Sequence, residues 1–320
     1  IGVTSSFEIT HQSIGKPNQE FWESKEKFVE KWGSILPLDL KPSFIYAPDI
    51  KRKEFKKFGK IAIIIPTKGK VEMLYECVKS FHDHCDYKIF DVYIADTGST
   101  EEEKNWIKDN ILPFGNVKLV EYDYYNFAKI NNDVVKNLPK DEYEFLLFSN
   151  NDIKVINDVI TGMLSVFEKN RMTGTVGARL HFEDNTIQHD GILMYINKID
   201  NRIGVTHLNL KNYYNYSNST KEVFGNTGGL MMVRNYTFEK YGMFNENYVS
   251  CFEDVEVNMS LLSSGFKNYI CSECVSYHYE SQTRNDDPKN LVKLNYDYHN
   301  NLLPFIKNNI DKIKNNIIII

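Results

Sequence analysis

Two rhythms of apolar residues alternate along this chain from Ile61 onward. The runs at 61–65, 90–95, 117–121 and 145–148 are short, continuous and rich in Ile, Val and Phe. Strands buried on both faces have that composition. Between the runs, apolar residues recur every three or four positions. Val71, Leu74, Tyr75, Val78 and Phe81 mark one helix face, and Phe127, Ile130, Val134 and Leu138 mark another. Thr100 and Glu103 have the spacing of a capping box and open a helix after the second run. Strand and helix in strict alternation predict a doubly wound α/β sheet. Val159, Ile160, Met163, Leu164 and Phe167 add one more amphipathic helix.

Beyond that helix the rhythm changes. Residues 176–182 and 191–196 predict strands around an Asp184-Asn185 turn. The stretch 197–221 is polar and rich in Tyr and Asn, and is expected to be loop. A strand at 229–234 follows. Residues 253–264 form a helix, with Val255, Met259 and Leu262 inward and Gly265 as its stop. A last strand at 269–277 leads to His278.

The first residues fit neither rhythm. Phe21, Trp22, Phe28, Val29 and Trp32 have helical spacing, Pro37, Pro42 and Pro48 then prevent a helix, and 51–60 is a basic, solvated linker. We therefore expect a lead-in and linker over 1–58 and an α/β domain over 59–320, with a helical tail from about residue 290. The lead-in is read either as the tail of an upstream module or as an unrelated helical segment. The chain is expected to be an excised piece of a longer polypeptide that carries other modules.

Composition narrows the function classes. The 320 residues are 42% hydrophobic and 25% charged, enough for a sizeable core. A net charge of −5 argues against a nucleic-acid partner. No apolar stretch is long enough to span a bilayer, and no signal peptide is evident. Five cysteines without a regular framework suggest reduced thiols and a cytoplasmic setting. Cys271-Ser-Glu-Cys274 is a lone C-x-x-C, expected to be buried strand cysteines and not a zinc site.

Candidate chemistry gathers where strands end. The fourth run stops at Ser149-Asn150-Asn151-Asp152, the second at Asp96 and the first at Pro66-Thr67. Open α/β sheets bind ligands at such carboxyl ends, and a carboxylate there offers hard oxygen to Mg²⁺ or Mn²⁺. No G-x-G-x-x-G and no P-loop is present. Glu253-Asp254 opens a helix, which is either dipole compensation or a rigidly held general base. His278 is either a structural histidine or a metal ligand, with Arg284 within reach of phosphate.

The ordered set of these pieces resembles a family 2 glycosyltransferase of the GT-A fold, bacterial surface-polysaccharide type. The resemblance runs through Ile63-Ile-Ile-Pro-Thr67, Ile94-Ala-Asp-Thr-Gly-Ser-Thr100 and Asn126-Phe-Ala-Lys-Ile-Asn-Asn132. It continues in the metal-motif strand 145–153, Thr227-Gly-Gly-Leu-Met-Met-Val-Arg234, Phe252-Glu-Asp-Val-Glu256 and Tyr277-His278. It departs at Asn150-Asn151-Asp152, where the first acid of the metal motif is an amide.

The resemblance implies a Rossmann-like, mostly parallel sheet with helices on both faces and a smaller acceptor-side β region. It implies an inverting transfer from a nucleotide-diphosphate sugar, with a UDP-sugar expected, to a glycan or lipid-linked glycan acceptor. By resemblance, Asp254 is the base, with Glu253 as runner-up. Asp152 and His278 hold Mn²⁺ or Mg²⁺. Pro66, Thr67, Asp96, Asn126, Asn131, Asn151 and Arg284 meet the donor, and Thr227, Gly228 and Gly229 lie on the acceptor side. The implied location is the cytoplasm, at the inner face of the membrane. Two other classes stay open: a silent carbohydrate-binding module of a larger synthase, and a nucleotidyltransferase on the same core. The segment 281–289 has no apolar residue and is expected to be mobile until diphosphate binds.

Overall fold

A computed structural model describes residues 45–55, 58–212, 219–279 and 288–320. The helix expected over 20–32, the upstream-module reading, Arg284 and most of the expected mobile segment lie outside the described residues. The sheet domain is the compact unit Ser43–Ile320. The expected linker is less separate than its charge suggested. Its residues 51–54 are exposed, but Ile45 is buried and Ile50 and Phe55 pack against the core. Pro48 is held by a 3.0 Å hydrogen bond from Asn157 Nδ2 to its carbonyl.

The alternating half folds as its rhythm dictates. Strands β1 (Lys60–Thr67), β2 (Phe90–Asp96), β3 (Val117–Glu121) and β4 (Tyr143–Ser149) are linked by α1 (Val71–His84), α2 (Glu101–Asn110) and α3 (Phe127–Lys136). Their order in the sheet is β4-β1-β2-β3, all parallel. Burial alternates with period two. Phe145 and Leu147 enter one core with α1, and Leu146 and Phe148 enter the other with α3. Phe148, Phe238 and Phe244 have ring centroids 4.8–5.2 Å apart. Fully burying each ring stabilises the fold by roughly 1.5–3 kcal/mol. The capping box of Thr100 and Glu103 is formed.

After β4 come β5 (Ile153–Val155), α4 (Val159–Lys169), β6 (Thr173–His181), β7 (Ile187–His189), β8 (Ile192–Ile196) and β9 (Ile203–His207). Then follow β10 (Lys221–Val223), β11 (Leu230–Arg234), α5 (Asn235–Tyr241), α6 (Glu253–Ser263) and β12 (Lys267–His278). Strand β11 runs antiparallel between β4 and β6, and β12 lies parallel to β6. The main sheet has ten strands among the described residues.

Two expectations are corrected here. Strand β6 pairs with β7 around the Asp184-Asn185 turn, not with 192–196. The stretch expected to be loop contains β9, which pairs with β8 in a second, three-stranded sheet completed by β13 (Ile318–Ile319). Strand β9 is half-buried throughout, and its alternation of Ile203 and Val205 with Gly204 and Thr206 is too short to stand out in a polar stretch. The tail forms α7 (Pro288–Asp297), a π-helical stretch over Tyr298–Leu302 and α8 (Leu303–Ile313). Leu302, Ile306 and Ile313 pack with Val255, Met259 and Leu262 of α6 against β8. Among the described residues no helix is long and apolar enough to cross a membrane. Cys271 and Cys274 are buried free thiols, as expected of strand cysteines.

Candidate active site

Strand register assembles the site. Thr67 pairs with Asp96, and Ile64 with Phe148, so the ends of β1, β2 and β4 share one edge. Leu230 pairs with Ser149, which lays residues 227–229 beside the end of β4. His278 pairs with Ile153 across the β5–β12 ladder and therefore stands beside Asp152. The ends of β1 and β4, residues 227–229 and His278 line a cleft of about 740 Å³ with Glu253 and Asp254 on another wall.

Asp152 and His278 form the most informative pair. Asp152 is 7% exposed, and its Oδ1 lies 3.2 Å from His278 Nε2 without a hydrogen-bond partner. The His278 tautomer follows from its neighbours. Gln188 Nε2 donates to the His278 carbonyl at 3.4 Å, which turns Gln188 Oε1 toward Nδ1 in a very short contact. Nδ1 therefore carries the proton. Nε2 accepts instead, and Asn150 Nδ2 lies 3.1 Å from it. With the ring neutral, a carboxylate oxygen and the Nε2 nitrogen thus converge as two acceptors, the kind of pair a divalent cation takes as ligands. Among the described residues no group of three or more His, Cys, Asp or Glu side chains could hold a metal. A two-residue site still fits Mg²⁺ or Mn²⁺, which leave positions to water and phosphate oxygens.

Asp254 sits in the first turn of α6. Its Oδ2 accepts the Gly228 N–H at 2.8 Å, and its Oδ1 accepts the Val255 N–H at 2.7 Å. Each oxygen keeps a lone pair for a further partner. The residue before the helix, Phe252, has φ 76°. A bulky side chain in the left-handed region is strained and persists only where its surroundings hold it. Beneath this wall, the fully buried Asn258 accepts from Thr175 Oγ1 (2.6 Å) and Asn226 N (3.1 Å). It donates to the carbonyls of Asn226 (2.8 Å) and Asp254 (2.7 Å). One amide thereby ties the Asp254 turn to the segment that leads into Thr227.

The two glycines leave the cleft floor open, and a methyl group at either would make only ordinary contact. A Cβ on Gly229 would stand 3.4 Å from His278 Cε1, and one on Gly228 would stand 3.5 Å from the Phe127 ring. Any larger side chain would fill the cleft.

The expected donor residues divide into two groups. Pro66, Thr67 and Asn151 line the cleft, with Asn151 Nδ2 donating to Thr67 Oγ1 at 2.9 Å. Asp96, Asn126 and Asn131 are not among its lining residues. Asp96 is 1% exposed, and its carboxylate accepts from Ser99 N, Ser99 Oγ and Gly98 N within its own turn. Asn126 caps α3 through Lys129 N and donates to the carbonyls of Glu246 and Tyr248. Asn131 is buried and donates to Phe127 O.

Sequence reasoning missed the wall from the second sheet, where Ile192, Val205, Thr206 and His207 line the cleft. His207 Nδ1 lies 2.7 Å from Nδ1 of the buried His189. Burial, and then His207, push the His189 pKa well below the ordinary imidazole range, so the ring stays neutral. Cys77, under Asn150, is equally inert: burial raises its thiol to about 12.

Comparison with known proteins places this arrangement. The model of the family described as glycosyl transferase family 2 matches residues 62–242. The chain is 26% identical over 244 residues to the O-antigen biosynthesis protein RfbC of Myxococcus xanthus, covering 71% of this chain and 18% of that protein. It is 25% identical over 245 residues to the uncharacterized protein y4gI of Sinorhizobium fredii, covering 70% and 25%. The chain thus spans a quarter or less of the length of these two relatives. Among solved structures, GalNAc-T7 with UDP, GalNAc and Mn²⁺ aligns with a TM-score of 0.57 at 13% identity, over 81% of this chain and 55% of that one. The mannosyltransferase PcManGT from Pyrobaculum calidifontis, in complex with GDP-Man and Mn²⁺, aligns with a TM-score of 0.51 at 13% identity, over 82% and 65%. These likenesses establish the fold as GT-A.

Proposed function

The chain belongs to glycosyl transferase family 2, and from that premise we propose that it moves a sugar from a nucleotide-diphosphate sugar to a hydroxyl of a glycan or lipid-linked glycan acceptor. The transfer is an inverting single displacement, and the first donor to try is a UDP-sugar. The carrying observation is that the paired Asp152 and His278 open into the same cleft as Asp254.

Asp152 Oδ1 and His278 Nε2 would hold Mn²⁺ or Mg²⁺, which when bound neutralises charge on the leaving diphosphate as a Lewis acid. Pro66, Thr67 and Asn151 bound the donor side of the cleft. Asp254 takes the proton of the acceptor hydroxyl as that oxygen attacks the anomeric carbon. The bond from the anomeric carbon to the diphosphate oxygen breaks, and its electron pair leaves with the nucleoside diphosphate. Attack from the face opposite the leaving group inverts the centre, so no protein nucleophile is required. The Gly228 and Val255 N–H groups fix the Asp254 carboxylate in place for that step. The longer relatives support other modules in the natural polypeptide, and the O-antigen relative supports surface polysaccharide as the acceptor class.

A screen of UDP-glucose, UDP-galactose, UDP-N-acetylglucosamine, GDP-mannose and dTDP-rhamnose for nucleotide release, with and without Mn²⁺, tests the reading. We expect release from one donor, dependent on the cation. Release of pyrophosphate from a nucleoside triphosphate would favour a nucleotidyltransferase. Carbohydrate binding without release from any donor would favour a silent module.

A further inference from the structure

We infer that Asp297, in the C-terminal tail, is a positioning residue for the candidate base: its buried carboxylate gathers the backbone N–H groups of Val249, Ser250 and Cys251 and so holds the loop from which Glu253 and Asp254 start. The role in turnover rests on the transfer reaction proposed above; the hold itself does not.

Asp297 is fully buried at the last position of α7. Val249 N–H lies 3.0 Å from Oδ1 and 3.1 Å from Oδ2, Ser250 N–H 2.7 Å from Oδ2 and Cys251 N–H 3.2 Å from Oδ2. Asn301 Nδ2 approaches Oδ1 at 3.4 Å. A buried carboxylate faces a desolvation cost. Three consecutive backbone N–H groups on one anion form a nest that offsets it. The relation is reciprocal: the charge stabilises the loop conformation, and the loop makes the charge tolerable.

The next residue completes the grip. The Tyr298 ring meets the Phe252 ring at 6.2 Å between centroids, and Tyr298 Oη donates to the Ile203 carbonyl at 2.5 Å. Phe252 is the residue with the left-handed backbone, so its strained conformation is braced from the same tail. Upstream, Glu256 accepts from Tyr248 Oη at 2.7 Å and from Asn245 Nδ2 at 3.0 Å. Helix α6 therefore fixes the start of the lead-in itself. The segment it does not fix, 249–251, is the one Asp297 holds. Ser250, Cys251 and Phe252 line the cleft next to Glu253 and Asp254. A shift of the loop by a fraction of an ångström would misplace a base that works only within hydrogen-bond reach of its proton.

The test has two arms. The first is amide hydrogen exchange in the parent chain without ligand. Val249, Ser250 and Cys251 should exchange at least about a hundredfold slower than an unstructured peptide, although they lie in a loop. Exchange at the unprotected rate would overturn the hold. The second arm compares Asp297→Asn and Asp297→Glu with the parent, using the donor active in the nucleotide-release screen for kcat and UDP with Mn²⁺ for affinity. Asp297→Asn turns an amide N–H toward backbone N–H groups. It should lower kcat at least about tenfold while UDP affinity stays within about twofold, and Asp297→Glu, which keeps the charge, should restore part of the rate. Unchanged turnover in Asp297→Asn would overturn the inference. So would a parallel loss of kcat and UDP affinity without recovery in Asp297→Glu, which a purely structural role would produce. Should Asp297→Asn not fold, Asp297→Glu and the exchange arm decide. A parent that releases no nucleotide would instead contradict the transfer reading and leave the exchange arm standing.

Discussion

His278 Nε2 and Asp152 Oδ1 face each other at 3.2 Å with the imidazole proton on the far nitrogen, held there by Gln188. Neither residue's sequence neighbours bring them together. The antiparallel pairing of β5 with β12 does so, by setting Ile153 opposite His278. Asp152→Ala should abolish the gain in UDP affinity on adding Mn²⁺, because an anionic oxygen ligand is lost. Titration calorimetry of UDP with and without Mn²⁺ measures this, and equal affinity in mutant and parent would rule out the metal role. Gln188→Met should weaken the Mn²⁺ effect by about 10–100-fold without removing a ligand, since Gln188 only fixes the tautomer.

Asn258 carries a different kind of load. Its amide satisfies four groups inside the protein, two of them backbone carbonyls at Asn226 and Asp254. Asn258→Ala takes a partner from each and leaves the buried Asn226 N–H without its acceptor. Each orphaned buried polar group costs about 1–3 kcal/mol, so the variant should lose about 3 kcal/mol or more of unfolding free energy. Urea unfolding followed by circular dichroism checks it. A loss under about 1 kcal/mol would mean that the neighbours find other partners.

Stability should also depend on pH through His181. Its Nε2 accepts from Arg179 Nε at 3.0 Å, and its Nδ1 donates to the Asn185 carbonyl. Burial, countered in part by that carbonyl, pushes its pKa down to about 4. In the unfolded chain the ring titrates near 6.5. The folded pKa is thus the lower of the two. Between about pH 6.5 and about pH 4 the unfolded chain binds the proton that the native ring refuses, so stability falls as pH falls through that window. The lost contribution is about 3 kcal/mol for this group. Melting temperature measured from pH 7.5 to pH 4.5 should drop, and His181→Asn should flatten the slope even if its overall stability is lower. An unchanged slope in the variant would assign the acid sensitivity to other groups.

How much of this was legible depended on burial. Strands β1, β2 and β4 are covered on both faces, so they read as continuous apolar runs, and the helices between them showed clean faces. Strand β9 was not legible. Its residues Ile203, Gly204, Val205, Thr206 and His207 are half-buried and sit within a polar, Asn-rich stretch. With it went the wall of the cleft that holds His207. Strand β7 has three residues, Ile187, Gln188 and His189, too few to show a period. The glycines and carboxylates of the site were visible as a motif order, because each lies at a strand end or helix start. Their partners were not, since Asn258 on Asn226 and Asp297 on Ser250 are contacts between segments distant in sequence that only the folded chain brings together. Asp96 shows the converse. Its place at the end of β2 was legible, yet its carboxylate is turned into its own Ser99 turn.

The central claim is that a sugar is transferred in this cleft with Asp254 as the base. Asp254→Asn preserves size and can still accept the Gly228 N–H, but it cannot take a proton. Nucleotide release should therefore be compared in the parent, Asp254→Asn and Glu253→Gln, at saturating donor, Mn²⁺ and acceptor, with UDP affinity recorded for each. The account predicts at least about a thousandfold loss of turnover in Asp254→Asn, UDP affinity within about twofold of the parent, and substantial turnover in Glu253→Gln. Turnover near the parent's in Asp254→Asn together with an inactive Glu253→Gln would contradict it, and would make Glu253 the base.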